Sequence, residues 1–254
     1  MFFQVLPQIK NALPQLPNIK SCAIIGCGGG YLELEFICRS LPNVKKLTVV
    51  DPDSDMIAAC KTRAAQLLPN VNTDFYQETA QSWNPAYGPF DAVLLFHCLY
   101  YIPQLERPEL FKKLFNNVLT SGGLVIILSC PCNLQNPTMF NKLVYLVDLP
   151  SYNVYDFADG VQVCDMMTSV GFRNCYQLPV DGIEYQVDVE EPNDILIATI
   201  MFCSRGKLSL EKVRHAVKAV VGPWRQKNTS PRHVAWRVRK TVIRPAHSDA
   251  LFCV

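Results

Sequence analysis

Three groups of residues carry types and spacings that can do chemistry. Gly26-Cys27-Gly28-Gly29-Gly30 follows the apolar run Cys22 to Ile25, Asp51 follows Leu47 to Val50, and His97 with Tyr100 and Tyr101 follows Asp91 to Phe96. Glycines let a backbone approach a ligand closely, and a helix opening after them offers free N–H donors to an anion. A dinucleotide fingerprint needs a further glycine at position 31, where Tyr31 stands. Asp51 lies 25 positions after Gly26, at the end of an apolar run. An acid there can accept hydrogen bonds from both ribose hydroxyls of a nucleoside, or it can cap the helix that follows.

These residues need a scaffold that brings them to one edge. Short β-branched runs alternate with segments of helical period, which predicts a parallel sheet with crossover helices. Strands are expected at Cys22–Ile25, Leu47–Val50, Val71–Phe75, Asp91–Phe96 and Leu124–Leu128. Helices are expected from the glycine turn to about Arg39, from about Met56 to Leu68 before Pro69, and from about Glu109, the last ending in a left-handed cap at Ser121-Gly122-Gly123. Val163, Met166, Met167 and Val170 form an amphipathic stripe closed by Gly171, leading to a strand near Cys175–Leu178. Leu210, Val213, Val217 and Val220 read as helix, with strand-like pieces at 234–242 and 250–254. In such a sheet ligands sit at the carboxyl ends of the strands. A glycine turn, a distant acid and a broken dinucleotide fingerprint together favour S-adenosylmethionine over NAD.

Composition bounds the class. The chain has 254 residues, 49% hydrophobic and 18% charged, which excludes disorder and coiled coil. It contains no uncharged apolar run of membrane-spanning length and no signal-peptide core, so a soluble cytoplasmic protein is expected. The net charge of +2 hides a split: residues 1–204 carry 12 basic and 20 acidic side chains, residues 205–254 carry 12 and 2. An acidic block, Asp181 to Asp194, contains no Lys or Arg and would attract a cation. The 11 cysteines are irregularly spaced and read as reduced thiols; Cys130-Pro131-Cys132 lacks a second pair at zinc spacing, so no metal is expected.

GCGGG, VVDPDSDM, FYQETA, FHCLYYI and SGGLVIIL, in this order and spacing, resemble the class I S-adenosylmethionine-dependent methyltransferases, and among them the histamine N-methyltransferase family. The resemblance runs from about residue 20 to 178 and continues weakly to the final DALFCV. It implies a Rossmann-like α/β fold, a seven-stranded, mostly parallel sheet with helices on both faces and an antiparallel last strand pair. It also implies that Gly26 and Gly28 face the methionine part of the cofactor, Asp51 the ribose, Met56 the adenine side, and Thr79 with Ala80 the adenine edge. Phe96 and His97 would lie beside the sulfonium. His97 would be the catalytic residue, hydrogen-bonding the acceptor ring or taking a proton, and Tyr100, Tyr101 and Phe140 would wall a substrate pocket. Aromatic faces hold an alkylammonium at about 0.5–2 kcal/mol.

The activity so implied is N-methylation of a small amine or imidazole by a monomer, without membrane or nucleic acid partners. Methyl transfer is an in-line displacement in which positioning supplies most of the catalysis. The sequence departs from the family in three ways. Ala80 has no side chain to read the adenine amine, Asp51 is shorter than the family's acid, and no acidic residue precedes Glu33 to bind a substrate amine. A single domain over 1–254 is expected, with 1–19 a truncated N-terminal segment carrying Pro7, Pro14 and Pro17, and 179–254 a divergent C-terminal region. The alternative is a catalytically impaired protein of this fold that binds the cofactor or a partner. A nucleic-acid methyltransferase is disfavoured because His97-Cys-Leu-Tyr100-Tyr101 stands where such enzymes carry an Asn/Asp-Pro-Pro-aromatic run.

Overall fold

The computed structural model describes residues 7, 9–128, 146–147, 160–172, 175–177, 187–188, 197, 208–227, 233–234 and 250–253. Its body is five parallel strands: β1 (Ser21–Ile25), β2 (Lys46–Val50), β3 (Asn72–Tyr76), β4 (Phe90–Phe96) and β5 (Leu119–Leu128). They lie side by side in the order β3-β2-β1-β4-β5, with β1 paired to both β2 and β4. The direction of strand succession therefore reverses between β1 and β4. That reversal opens a crevice at the carboxyl ends of these two strands, where a ligand can enter. Short strands at 175–177 and 250–253 add beyond β5 in parallel register, whereas the resemblance implies an antiparallel last pair. The long connection between those two strands imposes no hairpin, so it permits either direction.

Alternation along the strands divides the core in two. Ile24, Leu47, Val49, Leu94, Phe96 and Ile126 face α1 (Glu33–Ser40) and α2 (Ser54–Leu67), with Ile9, Leu13 and Leu16 packed into the same cluster. Ala23, Ile25, Val93, Leu95, Val125 and Ile127 face α3 (Arg107–Lys113) and α4 (Gly160–Ser169). Both faces are buried, which explains why β1, β4 and the later part of β5 read as continuous apolar runs. α4 closes as expected: Gly171 is left-handed and the Phe172 amide donates to the Met167 carbonyl. A fifth helix, α5, spans Leu210–Lys227. Among the described residues no helix is long and apolar enough to cross a membrane.

One helix end differs from the sequence expectation. The turn after α3 widens into a single π-helical segment, Leu114–Val118, and the chain enters β5 at Leu119. Ser121-Gly122-Gly123 therefore lies inside the strand and caps no helix. Gly122 takes φ +89° beside the register shift between Phe90 and Ala92, the place where a bulge needs a residue without a side chain.

The glycine turn is shaped by its neighbours. Gly26 has φ +69°, its amide donates to the Val50 carbonyl, and a Cβ on it would lie 2.4 Å from Cys98 Cβ. Close approach to Cys98 joins the turn after β1 to the tip of β4. Gly28 is also left-handed, but no protein atom lies within 4 Å of where its Cβ would be. Gly28→Ala is therefore expected to cost only the conformational term, about 1–2 kcal/mol, whereas Gly26→Ala adds a clash and should lower the melting temperature distinctly more. Thermal denaturation of both variants checks this, and Cys98→Gly should restore part of the Gly26→Ala loss. Equal melting temperatures for the two alanine variants would refute it.

Candidate active site

The carboxyl ends of β1, β2 and β4 converge on Asp51. Its side chain is buried, and its two oxygens accept from the Gly28 amide at 2.9 Å and the Asp53 amide at 3.0 Å. The alternative reading of Asp51 as a helix cap is resolved by its neighbour: Asp53 caps α2, accepting from the Asp55 and Met56 amides. Asp51 is thereby left to tie the glycine turn to β2, with unused lone pairs on each oxygen. Met56 sits in the first turn of α2, half-buried.

Thr79 and Ala80 occupy a tight turn after β3. The Thr79 hydroxyl accepts from the Ser82 amide at 3.0 Å, and the Thr79 carbonyl accepts from the Trp83 amide at 2.9 Å. Ala80 is buried against the cluster holding Trp83. From α3, the Lys113 ammonium donates to the carbonyls of Ala80, Gln81 and Trp83, clamping the turn; burial pulls its pKa below the usual lysine value. The Thr79 side chain thus serves the turn, leaving backbone groups as what this turn presents to an adenine.

The β4 tip is conformationally costly. His97 has φ +53°, the single non-glycine residue in the left-handed region among the described residues, and its amide donates to the Leu128 carbonyl at 2.6 Å. A histidine held there costs of order 1–3 kcal/mol, and such strain concentrates at functional sites. Tyr100 and Tyr101 follow in a 3₁₀ turn (Leu99–Tyr101), half-buried, their ring centroids 4.7 Å apart and tilted by 52°. Phe96 ends β4, its ring buried edge-on to Phe36, 5.6 Å between centroids, and packed in the core. Alternation explains this, because Phe96 shares a face with Leu94 and Ala92. Phe140, Cys130, Cys132 and most of the acidic block lie outside the described residues.

A functional group the sequence reading passed over is Glu33. It opens α1, is only 5% exposed, and its carboxylate accepts from the backbone amides of Leu32 and Glu33. Burial, with a smaller contribution from Asp51, pushes its pKa up to about 8. The signal was present, since 33, 36, 37 and 40 form one inward helical stripe and Phe36, Ile37 and Ser40 are all buried. The neighbouring thiols are protonated: a hydrogen bond with Cys60 and then burial raise the Cys27 pKa, and burial raises that of Cys98. Neither is a nucleophile.

Comparison with known proteins agrees with this geometry. Residues 23–123 match the family model described as a methyltransferase domain. Superposition on a protein of Bacillus halodurans C-125 assigned as a methyltransferase gives a TM-score of 0.60 at 16% identity, covering 92% of this chain and 96% of the other. This is the Rossmann-like methyltransferase fold, which implies S-adenosylmethionine as the cofactor. The cyclopropane synthase MmaA2 from Mycobacterium tuberculosis shares the fold with a TM-score of 0.54 at 11% identity, over 93% of this chain and 84% of that one. Trans-aconitate 2-methyltransferase of Rhizobium meliloti (strain 1021) is 29% identical over 131 residues, 51% of this chain and 46% of that protein. The chain thus spans about half the length of that curated relative. These likenesses carry the fold and, over residues 23–123, a methyltransferase domain, and extend to no histamine-specific member.

The residues fit the cofactor. The turn at Gly28 opens away from protein, and Asp51 stands buried behind it with acceptor capacity to spare. Glu33 gives the site a pH signature in the unliganded protein. Its folded pKa lies above its unfolded value, so the native state holds more protons and stability falls as pH rises from about 4.5 to about 8. Glu33→Gln removes that penalty. The variant is expected to melt several degrees above wild type at pH 8.5 and to lose that advantage near pH 4.5. Melting curves without ligand across this range check it; an advantage independent of pH would refute it.

Proposed function

We propose that this protein is an S-adenosylmethionine-dependent methyltransferase acting on the nitrogen of a small amine or imidazole, histamine-like in size. The observation that carries the reading is His97: a left-handed histidine at the tip of β4, one residue from the Cys98 that packs on the glycine turn. When bound, S-adenosylmethionine supplies an electrophilic methyl group on a sulfonium. Asp51 would hold the ribose and the Gly26–Gly30 turn the methionine part, while the 79–80 turn borders the adenine.

The acceptor side is argued from the same tip. A neutral imidazole at His97 can hydrogen-bond an acceptor ring or take the proton that its nitrogen must lose. Tyr100 and Tyr101 present two tilted aromatic faces beside it, suited to a flat ring or an alkylammonium. Thiol catalysis is disfavoured by the buried, protonated state of Cys27 and Cys98. A second reading, transfer to a carboxylate oxygen, is favoured by the likeness to trans-aconitate 2-methyltransferase.

Incubation with methyl-labelled S-adenosylmethionine and either histamine or trans-aconitate separates the two. Labelled histamine is the expected product. His97→Ala should lower its formation by about 10²-fold, whereas His97→Asn, which tolerates the left-handed backbone and keeps a hydrogen-bonding side chain, should retain most of it. Labelling of trans-aconitate alone would overturn the amine reading in favour of the carboxylate. Cofactor binding without transfer to either acceptor would favour a binding protein of this fold.

A further inference from the structure

Glu33 is the second buried carboxylate at the glycine turn, and Asp51 does not explain it. Among the described residues the ion pairs are Arg39 with Glu35 and Lys112 with Glu109, so no lysine or arginine neutralises Glu33. Its carboxylate is held at the first turn of α1 by the Leu32 and Glu33 amides. It acts electrostatically on Asp51, on Cys27 within the glycine turn and on Cys98, whose Cβ closes over Gly26. Those three groups, with its own place in the first turn of α1 and its 5% exposure, set it where the turn meets the tip of β4. Burying a carboxylate without a cation costs several kcal/mol, a cost that is offset when a ligand brings the cation.

Apart from Asp51, which the ribose would occupy, the strand that enters the turn offers no negative charge. Cys22, Ala23, Ile24 and Ile25 on β1 are apolar and fully buried, so the carboxyl end of β1 contributes none. Asp51 already spends one lone pair of each oxygen on the Gly28 and Asp53 amides. S-adenosylmethionine carries its two positive charges, the sulfonium and the α-ammonium, on the methionine half of the molecule, the half that the proposed binding mode sets against the glycine turn. We propose that Glu33 is the counter-ion for the cationic methionine end of S-adenosylmethionine, a positioning residue for the cofactor that holds its charged end against the turn. This inference rests on the cofactor assignment and extends it to a residue.

The test compares two ligands on the full chain by calorimetry: S-adenosylmethionine, and 5′-methylthioadenosine, which keeps the adenosine but lacks both positive charges. Glu33→Gln is expected to weaken S-adenosylmethionine by about tenfold or more, the scale of one lost charge-assisted contact, and to leave 5′-methylthioadenosine within about twofold. Glu33→Asp, which keeps the charge on a shorter arm, should recover part of the loss. A variant that melts above wild type without ligand yet binds S-adenosylmethionine more weakly excludes a merely structural role. Equal weakening of both ligands, or unchanged S-adenosylmethionine affinity, would overturn the proposal. Failure of the wild-type protein to bind either ligand would instead overturn the cofactor assignment, and this inference with it.

Discussion

The site depends on one carboxylate. Asp51 accepts the Gly28 amide with one oxygen and the Asp53 amide with the other, and so joins the turn after β1 to the start of α2. The first bond fixes a left-handed glycine in front of the strand ends. The second sets the chain so that Asp53, and not Asp51, caps α2. Charge-assisted bonds to backbone amides are about twice as strong as neutral ones, and burial strengthens them further. From this pin the remaining geometry follows: Gly26 returns its amide to Val50, and the space where its side chain would be is filled by Cys98. Three strands are thereby locked at their carboxyl ends before any ligand arrives.

That preorganisation leaves an electrostatic imbalance. Two carboxylates, Asp51 and Glu33, are buried at the turn, and the nearby thiols Cys27 and Cys98 are held in their neutral form. Burial holds the Glu33 carboxyl largely protonated near neutral pH, and a cation beside it would favour its ionised form. Lys113 shows the opposite solution at the turn after β3, where a partly buried ammonium meets three carbonyls and is satisfied inside the protein. The contrast decides which group is structural and which is available: Lys113 has its partners, whereas Glu33 has amide donors and no counter-charge. A buried carboxyl with no cation in the protein neutralises by protonation, and an arriving cation can take the place of that proton.

Much of this was legible in the sequence, and the physical reasons are particular. Strands β1, β4 and the later part of β5 announce themselves because both faces are covered, and Asp51 and the glycine turn because few other arrangements put those types at those strand ends. Ser121-Gly122-Gly123 misled because a glycine pair after a helical stripe serves a cap and a bulge equally well, and only the register against β4 distinguishes them. At the tip of β4, alternation with Leu94 sends the Phe96 ring to Phe36. Glu33 was hidden among ordinary first-turn acids, which favour the helix dipole wherever they stand. Its inward phase with Phe36, Ile37 and Ser40 is the distinguishing mark.

The tip of β4 shows why fold and acceptor are separate questions. The strand, its register and the Gly26–Cys98 contact are set by packing that any member of this architecture needs, and they say nothing about what is methylated. His97 is different in kind. Its left-handed backbone is unfavourable for histidine, less so for asparagine, and free for glycine. A histidine in that conformation is what the proposed role of the imidazole at the strand tip would account for. The backbone turn also brings Tyr100 and Tyr101 back over the same end of the sheet within four residues. On the proposed reading, acceptor selection falls to one short turn attached to a rigid frame, where substitution would change the substrate while leaving Asp51 and the glycine turn undisturbed.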